Sequence, residues 1–185
     1  MGLLIVDDEE WNVSKLSHLL HMYPGSDSFF DLVSSGEDAI QSLLEKMGER
    51  VGYQAIITDF NIGDIDGKQI LQILSGRIDE FVSLDDISSL DDIKAIDPEL
   101  HYYIDVFETL ERYKRMVDQN SEIVKIMFSS TLYGDGSNDW RLVGVEAFQK
   151  ANKSNRYDIE LSIIQYLTDA RVLAPAGTRR ILDSL

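Results

Sequence analysis

The chain has no cysteine in its 185 residues. That excludes a disulfide framework and any thiolate-bound metal. No apolar run approaches the ~20 residues of a membrane-spanning helix. No basic stretch followed by an apolar core opens the sequence, so no signal peptide is expected. Gly2 follows Met1, but Val6 holds the position where myristoylation wants Ser or Thr. Together these absences predict a cytoplasmic protein with no membrane partner. Basic residues are also scarce. Against 33 Asp and Glu stand 17 Lys and Arg, for a net charge of −16. With no basic stripe to neutralise phosphates, nucleic-acid binding by this chain is not expected. The acidic balance fits either a solvated surface or contact with basic partner surfaces.

Hydrophobic residues make up 44% of the chain, enough for a full core. The length suits one domain with an elaboration, or barely two. The most informative stretch is Gln54 to Asn61. Ala55, Ile56 and Ile57 form a short apolar run, which reads as a buried parallel strand. It ends at Asp59, and loop formers follow: Asn61, Gly63, Asp64, Asp66 and Gly67. A second apolar run, Leu3 to Val6, ends in Asp7, Asp8, Glu9 and Glu10. In open α/β sheets, ligands bind at the carboxyl ends of strands. Two parallel strands would bring Asp7, Asp8 and Asp59 to one such edge. Crowded like charges are unfavourable unless a cation holds them. Hard oxygen ligands suit Mg²⁺, which keeps water and takes substrate phosphate oxygens as well. Taken alone, Asp59 reads more readily as an ordinary strand-end Asp that caps its loop.

In order, a strand over 3–6 is followed by a helix over 10–23, with Val13, Leu16, Leu19, Leu20 and Tyr23 on one face. Pro24-Gly25 stops it. His18 and His21 lie in this helix with no ligand spacing, so packing is their expected role. A strand over 29–33, a turn at 34–36 and a helix over 37–49 come next, with Ala39, Ile40, Leu43, Leu44 and Met47 inward. The strand over 54–58 precedes a helix that starts near Gly67 and carries Ile70, Leu71, Ile73 and Leu74. This β-α-β-α-β-α order predicts a parallel sheet with helices on both faces.

Residues 76–121 interrupt the pattern and predict a mostly helical insertion. It carries two near-copies, Ser83-Leu84-Asp85-Asp86-Ile87 and Ser89-Leu90-Asp91-Asp92-Ile93. Asp97-Pro98-Glu99 then starts a helix over about 98–118. A strand over 123–128 ends at Ser129-Ser130. A Gly-rich loop and a short helix over 140–143 lead to a strand over 145–148, with Lys150 just beyond. The last helix is expected over 156–173, with Ile159, Ile163, Tyr166, Leu167 and Ala170 inward. Pro175-Ala176-Gly177 breaks it, leaving 174–185 as a tail that is ordered only if it docks.

The strand ends thus carry Asp7 and Asp8, Asp59, Ser129 and Lys150. With Leu4-Ile5-Val6-Asp7-Asp8-Glu9, Gly36-Glu37-Asp38-Ala39-Ile40, Ile56-Ile57-Thr58-Asp59 through Asp66-Gly67, Ile126 to Ser130 and Val143 to Lys150, the chain resembles response-regulator receiver domains of two-component systems. The resemblance covers nearly all of 1–173 outside the insertion. No single piece is specific, but all of them in this order are. It implies a flavodoxin-like, doubly wound five-stranded parallel sheet in order 2-1-3-4-5. It implies Asp59 as phosphoacceptor, taking a phosphoryl group from a phosphohistidine on a partner histidine kinase or phosphotransfer protein. Asp7, Asp8 and Asp59, with the Asn61 carbonyl, would hold Mg²⁺. Lys150 and Ser129 would contact phosphate oxygens, and Phe148 stands near the family's switch aromatic. The chain would catalyse its own phosphorylation and dephosphorylation, mainly as a signalling switch toward a downstream protein.

This sequence departs from the family pattern in three places. Ala151 follows Lys150 where the family has Pro, Gly63 replaces a common Pro, and the helix before the last strand is short. The family's output surface is built by that helix, the last strand and the last helix. A homodimer through that face or through the insertion is one expectation. Two other functions compete. A phosphorylation-independent interaction scaffold would keep the fold without switching. A haloacid dehalogenase-type phosphatase wants a second Asp two residues after the first, where this chain has Asn61.

Overall fold

A computed structural model describes residues 2–23, 29–46, 52–62, 65–75, 122–129, 145–149 and 158–184. Three apolar runs form the middle of a sheet: β1 (Gly2–Val6), β3 (Tyr53–Thr58) and β4 (Val124–Ser129). β1 is buried along its whole length, as a strand covered on both faces must be. β2 (Phe30–Val33) and β5 (Val145–Gln149) are the edges. The order is β2-β1-β3-β4-β5 and every pairing is parallel, as expected from the sequence.

Among the described residues five helices flank the sheet: α1 (Glu10–His21), α2 (Gly36–Glu45), α3 (Gly67–Leu74), α4 (Asp158–Asp169) and α5 (Pro175–Ser184). Strand side chains alternate between two cores. Leu3, Ile5, Ala55, Ile57, Ile126 and Phe128 pack with α1, α4 and α5. Leu4, Val6, Ile56 and Met127 pack with α2 and α3. The inward positions expected on α1, from Val13 to Tyr23, are all buried. β2 is more open, with Asp31 and Leu32 exposed. Asp31 accepts from Tyr53 Oη (2.5 Å) and Lys46 Nζ (2.8 Å), tying this edge to β3 and to the end of α2. Burial opposes the Asp31 charge, but these two hydrogen bonds and the Lys46 charge outweigh it and hold the carboxyl below its usual range. Burial pushes the amine of Lys125, on β4, below its ordinary value, with Glu122 acting the other way.

Local chemistry sets the helix ends. Ser35 caps α2, its hydroxyl accepting from Asp38 N–H at 3.1 Å. Asp66 and Gln69 form a reciprocal box at the start of α3: each side chain accepts from the other's N–H, at 2.7 and 2.8 Å. α4 ends in a Schellman motif. Val172 N–H bonds Leu167 O at 2.8 Å, Arg171 N–H bonds Thr168 O at 3.0 Å, and Arg171 has φ 63°. The helix therefore stops at Asp169, and Ala170, expected inward, is exposed.

The C-terminal segment docks: residues 175–184 of the expected tail form a helix. Pro175 opens α5, where a missing N–H costs nothing. Ile181 is fully buried among α1 and α4 residues, and the Tyr23 hydroxyl accepts from Ala174 N–H and donates to Ala174 O. The insertion 76–121, the loop and short helix before β5, Lys150 and Ala151 lie outside the described residues. No described helix is long and apolar enough to cross a membrane.

Candidate functional site

Parallel strands deliver the residues that follow them to one edge of the sheet. Asp59 N–H donates to Val6 O at 2.9 Å and Asp7 N–H to Val33 O at 3.1 Å, so the ladder continues one step past β1 and β3. Val6 is paired with Thr58, which sets Asp7 and Asp59 side by side. Asp7, Asp8 and Asp59 each offer a carboxylate oxygen, and the three atoms lie within 4.8 Å of one another. Asp7 and Asp59 are buried, while Asp8 is exposed. Asp7 Oδ1 accepts from Glu9 N–H at 3.0 Å, and Asp59 Oδ1 from Phe60 N–H at 2.5 Å.

At that spacing each ionised pair repels by about 3 kcal/mol at an effective dielectric of ~20, less for exposed Asp8. A divalent cation reverses the sign of that term, and three hard oxygens are a donor set it accepts. The cluster fits such an ion on its own chemistry. A cleft of about 450 Å³ opens beside it, lined by Asp7, Asp8, Leu32, Val33, Ser34 and Asp38.

Ser129 ends β4 and is buried. Thr58 pairs with Met127, so Ser129 reaches one residue further along the same edge than Asp59. Asn61 follows Asp59 by two residues, with its side chain exposed. Lys150 would come next after Gln149, the partner of Ser129, but lies outside the described residues. Phe148 pairs with Phe128 and packs edge-on against Tyr166 of α4, with ring centroids 6.0 Å apart. It therefore faces the α1 and α4 side, while neighbouring Ala147 faces the α2 and α3 core.

Sequence reading overlooked one residue here. Thr58 is fully buried, and its hydroxyl donates to Asp59 O at 2.9 Å. The available signal was a hydroxyl directly between the apolar run and the acid. Gly67 is seated on the same carbonyl: a Cβ there would lie 1.8 Å from Asp59 O and 2.6 Å from Thr58 Oγ1. Only a glycine can start α3 this close to Asp59.

No protein-family model and no curated protein matches the chain. Solved structures do. A two-component response regulator from Legionella pneumophila matches with a TM-score of 0.52 at 13% identity, over 91% of this chain and 98% of that one. A CheY-like response regulator receiver domain protein from Methanospirillum hungatei JF-1 gives 0.49 at 13% identity, over 92% and 96%. The Mn(2+)-bound form of response regulator Rcp1 gives 0.49 at 16% identity, over 94% and 95%. At such identities the likeness is one of fold. The 2-1-3-4-5 parallel sheet and the likeness to the Legionella pneumophila structure give the chain a flavodoxin-like fold.

Proposed function

We propose that this chain is a receiver module that accepts a phosphoryl group on Asp59 and signals through protein contacts. The observation that carries the reading is the Asp7, Asp8 and Asp59 cluster at the carboxyl edge of a 2-1-3-4-5 parallel sheet. Asp59 is the member that follows the central strand β3, and like Asp7 it is buried and hydrogen-bonded at one oxygen. Its carboxylate attacks the phosphorus of a phosphohistidine on a partner histidine kinase or phosphotransfer protein. The new O–P bond forms as the P–N bond breaks, and the imidazole leaves with the electron pair and takes up a proton from solvent. Bound by Asp7, Asp8, Asp59 and the Asn61 carbonyl, Mg²⁺ would neutralise charge on the transferring oxygens. Ser129 and Lys150 serve as donors to those oxygens, and Phe148 reports the change to α4 through Tyr166. Residues 1–173, interrupted by 76–121, act as the receiver unit with α5 docked on its core, and the output goes to a downstream protein.

The test uses a small phosphodonor. Acetyl phosphate with Mg²⁺ should label Asp59 alone, as located by mass spectrometry, and Asp59→Asn should abolish the label. Omitting Mg²⁺ should remove most of it. Label on another residue, or none under any condition, refutes the reading; the latter result favours a scaffold that keeps the fold without phosphorylation.

A further inference from the structure

We infer that Thr58 is a positioning residue for the Asp59 carboxylate, acting through the peptide unit between Asp59 and Phe60. The inference rests on the reading of Asp59 as phosphoacceptor. The Asp59 carbonyl and the Phe60 N–H belong to that one rigid peptide. Thr58 Oγ1 donates to the carbonyl at 2.9 Å, and Gly67 closes over the same oxygen. Gly67 N–H also bonds Phe60 O at 2.9 Å, so the peptides on both sides of Phe60 are anchored. With the carbonyl held, the N–H has one direction, and it points at Asp59 Oδ1.

The hydroxyl therefore sets which way the carboxylate faces. Thr58 is fully buried and does not line the cleft. Removing it leaves the donor set intact but frees the peptide to rotate. A carboxylate that turns loses the in-line approach that phosphoryl transfer requires.

The experiment compares Thr58→Val, which deletes the hydroxyl and keeps the shape, with Thr58→Ser, which keeps the hydroxyl. Two quantities are read: the rate of acetyl phosphate labelling at saturating Mg²⁺, and the Phe60 amide proton by NMR. In the wild type that proton, donating to a carboxylate, should be strongly downfield and slow to exchange. Thr58→Val should slow labelling by roughly ten- to a hundredfold. It should also move the amide upfield and speed its exchange, and Thr58→Ser should restore both. Wild-type labelling in Thr58→Val, or an unmoved Phe60 amide, overturns the proposal. Should valine fail to fold, Thr58→Ala against Thr58→Ser isolates the same hydroxyl with the same two outcomes. Absence of label in the wild type would refute the phosphoacceptor reading. The amide comparison would still decide whether Thr58 orients Asp59.

Discussion

Ser35 shows how one hydroxyl shapes the ground beside the carboxylates. It satisfies Asp38 N–H at the start of α2, and Asp38 lines the cleft next to Asp7 and Asp8. An N-cap hydroxyl is worth about 1 kcal/mol, whereas glycine at the same place costs a few tenths. Ser35→Ala should therefore lower the urea midpoint by the equivalent of about 1 kcal/mol, and Ser35→Gly by clearly less. An unchanged midpoint in Ser35→Ala would show that the cap contributes nothing. At this scale the site was partly legible. Asp7, Asp8 and Asp59 stood out because two apolar runs end in carboxylates that parallel strands would bring to one edge, whereas a single strand-end Asp reads as a loop cap. Thr58 did not, since a β-branched residue also fits a buried strand without any further role. Arg171 was equally silent: it takes the left-handed position that Gly or Asn usually announces, so the end of α4 carried no stop signal before Pro175.

Among the described residues the elements up to β5 were read nearly to their ends, because the central strands are apolar runs bounded by turn residues and each early helix has a clean inward stripe. The end of α4 was read four residues too long, and α5 was not foreseen as a helix. Pro-Ala-Gly reads as a break, yet Pro is favoured in a first helical turn. Gly177 has a packing reason that only the tertiary structure supplies. A Cβ on Gly177 would lie 2.1 Å from the Tyr23 ring. That contact joins α5 to the end of α1, and the Thr168 and Thr178 hydroxyls, bonded at 2.6 Å, join it to α4. Two effects compete in Gly177→Ala. Helix propensity favours alanine by about 1 kcal/mol. Overpacking against a buried ring costs about 1–3 kcal/mol. The overlap is too deep for the ring to absorb, so the variant should be destabilised by about 1–2 kcal/mol in urea unfolding. Repeating the change in a Tyr23→Ala background should turn the loss into a gain. If Gly177→Ala stabilises the wild type, α5 does not dock on Tyr23 as described.

At the scale of the whole molecule, the parallel sheet separates two ends with different jobs. Its carboxyl end holds Asp7, Asp8, Asp59 and Ser129. The chain leaves from the end of α3 at Leu74 and re-enters at the start of β4 at Val124, which belongs to the opposite end. What lies between therefore departs from and returns to the side remote from the proposed chemistry. That intervening stretch, 76–121, holds twelve acids against five bases, so any surface that meets it should tend to be basic. We expect a variant lacking it, with Ser75 joined to Glu122 by a short flexible linker, to keep the sheet. The parallel pairing of β3 and β4 does not depend on how long their connection is, and loop length costs little in stability. Acetyl phosphate should still label Asp59 near the wild-type rate. Self-association, followed by sedimentation velocity, or capture by a basic partner surface should change instead. If the shortened protein folds by circular dichroism but neither binds Mg²⁺ nor takes up phosphate, the segment serves the site directly, and this division of labour between the two ends of the sheet is wrong.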